Sequence, residues 1–244
     1  MSNAISDSLI DAARRLQQNC AAIAPDLSQP VSFYYDPLDY AKSVHEAYLT
    51  QFGGLGAKTI LLGMNPGPWG MGQTGVPFGD IHKVTGYLGL AGNEVIIPSG
   101  THEKRPVLGL ECARGEVSGT RLWAAVEQVF GTAEQAHAHI FVVNHCPLLL
   151  FDDKTRNLTP DKLRGDAASK LLEICDEHLR EVVDILAAKR VIGVGKYAER
   201  RAEQALQEVI VEIDSIPHPS PANPFSNRNG GADWRAAFAA KFAR

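Results

Sequence analysis

Thr59-Ile60-Leu61-Leu62-Gly63-Met64-Asn65-Pro66-Gly67-Pro68-Trp69-Gly70 carries a strand and the loop that follows it. Its first four residues form a short apolar run that stops at glycine, the pattern of a strand buried in a parallel sheet. The remainder is too rich in glycine and proline to continue a strand or start a helix, so the strand empties into a shaped loop. Three further runs repeat the plan. His139-Ile140-Phe141-Val142-Val143 leads into Asn144-His145-Cys146-Pro147, and Arg190-Val191-Ile192-Gly193-Val194 leads into Gly195-Lys196-Tyr197. Val209 to Ile216 leads into Pro217-His218-Pro219-Ser220-Pro221. Residues 6–23, 40–52, 118–130, 197–207 and 232–242 read as helices, and Leu171, Cys175, Leu179, Val182 and Leu186 share one face of another. Strands alternating with helices predict parallel crossovers and a doubly wound α/β domain. One domain is expected over 1–244, with N-terminal helices at about 4–52 packed on it.

Ligands of open α/β sheets bind beyond the carboxyl ends of the strands. The chain has 22 Gly and 14 Pro, and nine of these lie in residues 63–79 and six more in 217–231. Two rigid, shaped loops at one sheet edge therefore mark the place for a site, although stiff connections alone would give the same composition. The first segment continues Met71-Gly72-Gln73-Thr74-Gly75-Val76-Pro77-Phe78-Gly79 and contains neither a Walker loop nor a GxGxxG fingerprint. Gly193-Val194-Gly195-Lys196 resembles half a phosphate loop, but Tyr197 stands where Ser or Thr is needed. It reads as a strand-to-helix turn.

The net charge of −4 argues against a protein that coats nucleic acid. That charge is local. Residues 166–184 hold Asp166, Glu173, Asp176, Glu177, Glu181 and Asp184 against Lys170 and Arg180, which alone gives −4. The rest of the chain is neutral and can still present a basic edge to DNA, with the acidic helix expected on the opposite side. Cys20, Cys112, Cys146 and Cys175 lack CxxC spacing, so zinc, iron–sulfur and thioredoxin patterns are absent and reduced thiols are expected. No apolar run has the length of a membrane span, and the first residues lack a secretory layout.

The run Gly63–Gly79, GMNPGPWGMGQTGVPFG, resembles the first motif of the single-strand-selective monofunctional uracil-DNA glycosylases. His218-Pro219-Ser220-Pro221-Ala222-Asn223-Pro224 resembles their second motif. Lys104–Cys112, Glu116-Val117-Ser118-Gly119 and Val143–Leu148 are similar to the family in the same order, over roughly residues 30–240. The resemblance implies a uracil-DNA glycosylase-like fold: a three-layer α/β/α sandwich around a central four-stranded, mainly parallel sheet. It implies hydrolysis of the N-glycosidic bond of uracil, and of 5-substituted uracils, in single- and double-stranded DNA, leaving an abasic site without lyase chemistry. No cofactor and no metal are expected, and the partner is uracil-containing DNA met by a monomer. No membrane partner is expected. The expected location is cytoplasmic and nucleoid-associated if bacterial, nuclear if eukaryotic. Two alternatives stay open: a same-scaffold enzyme acting mainly on deaminated purines, and a damaged-DNA-binding protein without turnover.

The resemblance also assigns roles to single residues. Asn65 positions the attacking water; without the motif it reads as an Asn in a Pro-Gly turn. His218 donates to uracil O2 as charge develops there, a kind of contact often worth about 3 kcal/mol. Asn144 reads the base, because its amide offers a donor for O4 and an acceptor for N3–H while cytosine presents the reverse. A capping Asn gives the same letter. Phe78 stacks on the flipped base, or else packs in the core. Met64 contacts the base through its backbone, and Gly67 and Met71 line the pocket near the pyrimidine 5-position. In the second motif, Ser220 bonds a phosphate and Pro219 and Pro221 stiffen the loop, with Ala222, Asn223, Phe225 and Arg228 also facing DNA. Relatives can carry a basic wedge at the Ala222 position. Ala222 cannot fill the space of a flipped base, which leaves Phe225, Asn227 or Arg228 as substitutes; a weaker wedge would favour single strands or weak pairs, where flipping costs less. Lys83, Lys104, Arg105, Arg121, Lys196 and Arg228 are the basic residues available for phosphates.

Overall fold

The computed structural model describes residues 3–243; the two N-terminal residues and the last one lie outside the described residues, and so do those ends of the expected domain. The chain opens with α1 (Ala4–Ile23), whose N-terminus is capped by Asn3 accepting from the Ser6 N–H at 3.0 Å. A short strand β1 (Phe33–Tyr35) follows. The helix expected from residue 40 is two pieces, α2 (Pro37–Tyr40) and α3 (Lys42–Phe52), because Ala41 between them has φ −104° and ψ 24°. Next come β2 (Thr59–Gly63) and a single turn of helix, α4 (Met71–Thr74), inside the first Gly/Pro segment. Then come α5 (Val117–Phe130), α6 (Ala133–His137) and β3 (Ile140–Asn144). The short strands β4 (Leu149–Phe151) and β5 (Asn157–Leu158) precede the long acidic helix α7 (Asp166–Ile185). The chain closes with β6 (Arg190–Val194), α8 (Lys196–Ala205), β7 (Glu212–Ile216) and α9 (Ala232–Ala240).

The four long strands form a parallel sheet in the order β3-β2-β6-β7, flanked by helices. The chain runs from β2 to β3, then crosses back past β2 to β6. The order therefore reverses at β2, which puts the loop after β2 at the switch point where such sheets bind ligands. The last strand starts at Glu212, not Val209, because Val209 and Val211 are tied into local turns by bonds to the carbonyls of Leu206 and Val209. A second sheet, β1-β4-β5, is antiparallel and was not expected from the sequence.

The main core holds Trp123, Phe141, Trp234 and Phe238 with the aliphatic residues of the sheet. A second cluster, which includes Leu16, Leu150 and Leu171, joins α1, the small sheet and α7. Cys20, Cys146 and Cys175 meet there, and all four cysteines are free and buried. The acidic helix is not turned wholly to solvent. Its Asp176 is buried, pairs with Arg201 and accepts from His145 at 2.8 Å, so one of the six acids serves the layer beneath the sheet edge. Among the described residues, no helix is long and apolar enough to cross a membrane.

Candidate active site

Parallel register places Gly63 opposite Asn144, and the Gly195 N–H donates to the Ile216 carbonyl at 2.8 Å. The four strand ends therefore open on one edge. There a cavity of about 120 Å³ is lined by Met64, Asn65, Gly67, Phe78, Asn144 and His218, together with Glu116, Asn157 and Thr159. That volume is several times what one water needs.

Close approach of the loops depends on two glycines. A Cβ at Gly63 would collide with Asn144 Oδ1 and the Phe78 ring. Gly195, at φ +96°, leaves His218 room: a Cβ there would lie 3.1 Å from the His218 Cβ. Gly193-Val194-Gly195-Lys196 is thus the turn into α8 and a seat for His218.

Phe78 is buried and has φ +53°, a left-handed conformation that costs a non-glycine residue about 1–3 kcal/mol. Its carbonyl is held by Trp123 Nε1–H at 3.0 Å and by the Asp80 N–H at 2.8 Å. These bonds fix the strained turn and leave the ring in the cavity wall, 5.9 Å from the His218 ring.

The structure determines which nitrogen of His218 carries the proton. Nδ1 accepts from the Ser220 backbone N–H at 3.1 Å, and a backbone N–H can only donate. Burial pushes the pKa of the ring down to about 4. At neutral pH the ring is therefore uncharged, with its proton on Nε2, and is a neutral donor. Its carbonyl accepts from Asn223 Nδ2 at 2.9 Å and from Ser226 Oγ at 2.7 Å, so its main chain is pinned as well.

Asn144 ends β3 with Nδ2 3.2 Å from the Met71 sulfur. The next residue, His145, is buried, accepts from or donates to Tyr197 OH at 2.9 Å through Nδ1 and bonds Asp176 through Nε2. This network anchors the strand end that carries Asn144. Asn65 is fixed from the small sheet. Its Nδ2 donates to Asn157 Oδ1 and to the Leu158 carbonyl, each at 3.2 Å, and Asn157 Nδ2 donates to the Pro66 carbonyl at 3.0 Å.

Some expected site residues are elsewhere. Met71 does not line the cavity; it is buried behind Asn144, where the single turn of α4 points it inward. Asn223 braces the second loop, accepting from the Phe225 N–H at 3.1 Å while it holds the His218 carbonyl. Phe225 is half-buried against the main core with the Arg228 guanidinium 5.6 Å from its ring centre, so it is not a free wedge. Asn227 is tied to Arg121 and to the Pro221 carbonyl. Pro221, Ala222 and Arg228 remain exposed, and the Ser220 hydroxyl accepts from the Ala222 N–H at 3.2 Å. Of the basic residues, Arg121 braces the second loop through the Pro219 carbonyl, Lys83 pairs with Glu127 and Arg105 donates to the Thr155 carbonyl. Lys104, Lys196 and Arg228 are the exposed ones.

Sequence reasoning missed Glu116, Asn157 and Thr159. Glu116 had a signal, since its Oε2 caps α5 by accepting from the Gly119 N–H three residues on, at 3.1 Å. Burial, and then the neighbouring Asp80 carboxylate, push its pKa up to about 7 against the Gly119 bond, which lowers it. A raised carboxyl pKa means that folding favours the protonated form, so stability is full below the usual carboxylate range and declines as pH rises through about 7. Glu116→Gln keeps the capping acceptor and removes the buried charge. Thermal unfolding should then show the variant more stable than wild type above pH 7, by about 1–2 kcal/mol, with the gap closing below pH ~4.5. A gap that does not vary with pH would rule out the buried carboxylate.

Among the described residues, no group of three or more His, Cys, Asp or Glu side chains is placed to hold a metal ion. The family model of the uracil DNA glycosylase superfamily matches residues 50–240. The single-strand selective monofunctional uracil-DNA glycosylase of Rattus norvegicus is 43% identical over 211 residues, covering 86% of this chain and 74% of the relative. That of Bos taurus is also 43% identical over 211 residues, covering 76% of its own length. The crystal structure of Pedobacter heparinus SMUG2 shares the fold at 16% identity, with a TM-score of 0.60 over 93% of this chain and 96% of that one.

Proposed function

This chain belongs to the uracil DNA glycosylase superfamily, in its single-strand selective monofunctional family, and we propose on that footing that it excises uracil from DNA as a hydrolase. The observation that carries the reading is the meeting, in one cavity, of an amide acceptor, a neutral imidazole donor, a second amide and a strained aromatic wall.

The chemistry needs little more. The base leaves the stack and enters the cavity, with Phe78 against its face and Asn144 on its N3–H and O4 edge. The bond between N1 and C1′ breaks with its electron pair going to the base, and the charge spreads to O2. His218 Nε2–H donates there, while its low pKa keeps the proton on the ring. Asn65 Oδ1 accepts a hydrogen bond from water and aims its oxygen at C1′. An amide is a poor base, which suits an oxocarbenium-like transition state that asks little of its nucleophile. Water adds to C1′, its extra proton passes to solvent, and the products are an abasic site and free uracil. A lesion binder without turnover would need Asn65 or His218 displaced, and both line the cavity.

Gly67 lines the cavity without a side chain, which supports 5-substituted uracils as further substrates, although Glu116 stands close by: a Cβ on Gly67 would lie 3.0 Å from its Oε1. Ala222 is small, Asn227 is tethered and Phe225 is half-buried, which leaves Arg228, exposed beside the Phe225 ring, as the candidate wedge; a wedge this limited supports a preference for single strands over duplex. The enzyme would act as a monomer on DNA, with affinity that falls as salt rises.

End-labelled oligonucleotides with one uracil, single- and double-stranded, test this after alkali treatment. Cleavage at uracil is expected in both, faster in the single strand, and borohydride should trap no covalent adduct. No cleavage would overturn the activity, and a trapped adduct would overturn the hydrolytic mechanism.

A further inference from the structure

Asn157 sits on β5 at the rim of the small sheet, 92 residues along the chain from Asn65, yet the two side chains meet in the cavity wall. The hydrogen bonds there fix both amides without ambiguity. The Leu158 main-chain carbonyl can only accept, so the atom of Asn65 that faces it is the nitrogen. The Pro66 main-chain carbonyl can only accept, so the atom of Asn157 that faces it is also the nitrogen. Asn157 must therefore turn its Oδ1 to Asn65, which receives the Asn65 Nδ2 at 3.2 Å. Both hydrogens of the Asn65 amide have acceptors, and among the described residues nothing donates to Asn65 Oδ1.

From these contacts we propose that Asn157 is a positioning residue that clamps the Asn65 amide with Oδ1 toward the cavity. Asn65 then meets the attacking water only as an acceptor. A freely rotating amide would present its NH₂ group to the water half the time and point the water's hydrogens away from it. The same clamp ties the carbonyl of Pro66, the residue after Asn65, to the small sheet, so the main chain that carries Asn65 is held as well. The antiparallel sheet β1-β4-β5 thereby contributes to the site, since its last strand brings Asn157 and Leu158 under the first motif. This inference rests on the water-orienting role proposed for Asn65.

The test compares wild type, Asn157→Ala, Asn65→Ala and the double variant in single-turnover excision of uracil from a single strand, beside affinity for the same DNA. Asn157→Ala should lower the rate constant by roughly ten- to a hundredfold, as misplacement of a catalytic group does, with affinity changed less than about threefold. The double variant should be no slower than Asn65→Ala, because the clamp acts only through Asn65. A multiplied loss in the double variant, or an unchanged Asn157→Ala rate, would overturn the proposal. A second readout needs no activity. The Asn65 side-chain amide protons, observed by NMR, should exchange slowly in wild type and clearly faster in Asn157→Ala. Equal exchange would overturn the clamp even if excision is intact, whereas an inactive wild type with slowly exchanging protons would leave the clamp standing and remove the glycosylase reading instead.

Discussion

His218→Ala is expected to lower the single-turnover rate of uracil excision by roughly 10²–10³, the usual loss when one preorganised donor to a developing anion is removed. Binding of uracil-containing DNA should change far less, because the contact strengthens only as charge arrives at O2. The fold prepares this donor in advance. Pro217 and Pro219 flank it, Asn223 and Ser226 hold its carbonyl, and the Ser220 N–H occupies Nδ1, so Nε2 is the protonated nitrogen before any substrate enters. The pH dependence follows from the depressed pKa. Above about 4 the ring is neutral and competent; as pH falls through that value the ring gains a proton on Nδ1, which then faces the Ser220 N–H donor to donor. The His218 contribution should therefore be constant across the neutral range. An inflection at pH ~6.5 that disappears in His218→Ala would show an ordinary imidazole, acting as imidazolium, and would sink the neutral-donor mechanism.

How much of this site the sequence discloses depends on how local each signal is. Asn65 and Phe78 lie in one contiguous glycine–proline run, and His218 lies between two prolines, so their neighbours announce them. Three of the four sheet strands are legible because each carries a compact apolar run and is joined to the next through helices; β7 reads Glu212-Ile213-Asp214-Ser215-Ile216, and the apolar residues 209–211 before it drew its expected start too early. The small sheet is not, since its strands are three, three and two residues long and no period develops over so short a length. Asn157 is hidden with it: its partners Asn65 and Pro66 are fixed only when antiparallel pairing of Phe151 with Asn157 turns the chain back under the first motif. Met71 misled for the opposite reason. It stands inside the motif, but the turn of α4 faces it inward, where it supports Asn144 instead of lining the cavity. The second motif misled in the same way at Phe225 and Asn223, whose residue types suit DNA contact but whose bonds and packing serve the loop itself.

Asn144→Asp should change which base is cut. The wild-type amide has Oδ1 to accept from uracil N3–H and an Nδ2 hydrogen to donate to O4, the other hydrogen being turned to the Met71 sulfur. Aspartate has the same shape but two acceptors. Its contact with N3–H survives, while at O4 two acceptors oppose each other, and the mismatch of a buried polar pair is severe. Cytosine presents an amino group where uracil presents O4, so the carboxyl gains a donor there, while the bare N3 of cytosine is met by the protonated carboxyl, whose O–H donates to it. Uracil excision should fall at least ~100-fold, cytosine excision should become measurable, and the ratio of the two rates should shift by roughly 10²–10³ toward cytosine. Asn144→Ala is the control: it should lose uracil excision without gaining cytosine. Thermal unfolding should move little in Asn144→Ala, because the strand end is held by His145, Asp176 and Tyr197 and not by the Asn144 side chain. The measurement is single-turnover excision from matched single strands that differ only in the target base. An unchanged uracil-to-cytosine ratio in Asn144→Asp would remove Asn144 as the reader and return the choice of base to the shape of the cavity around Phe78, Gly67 and Glu116.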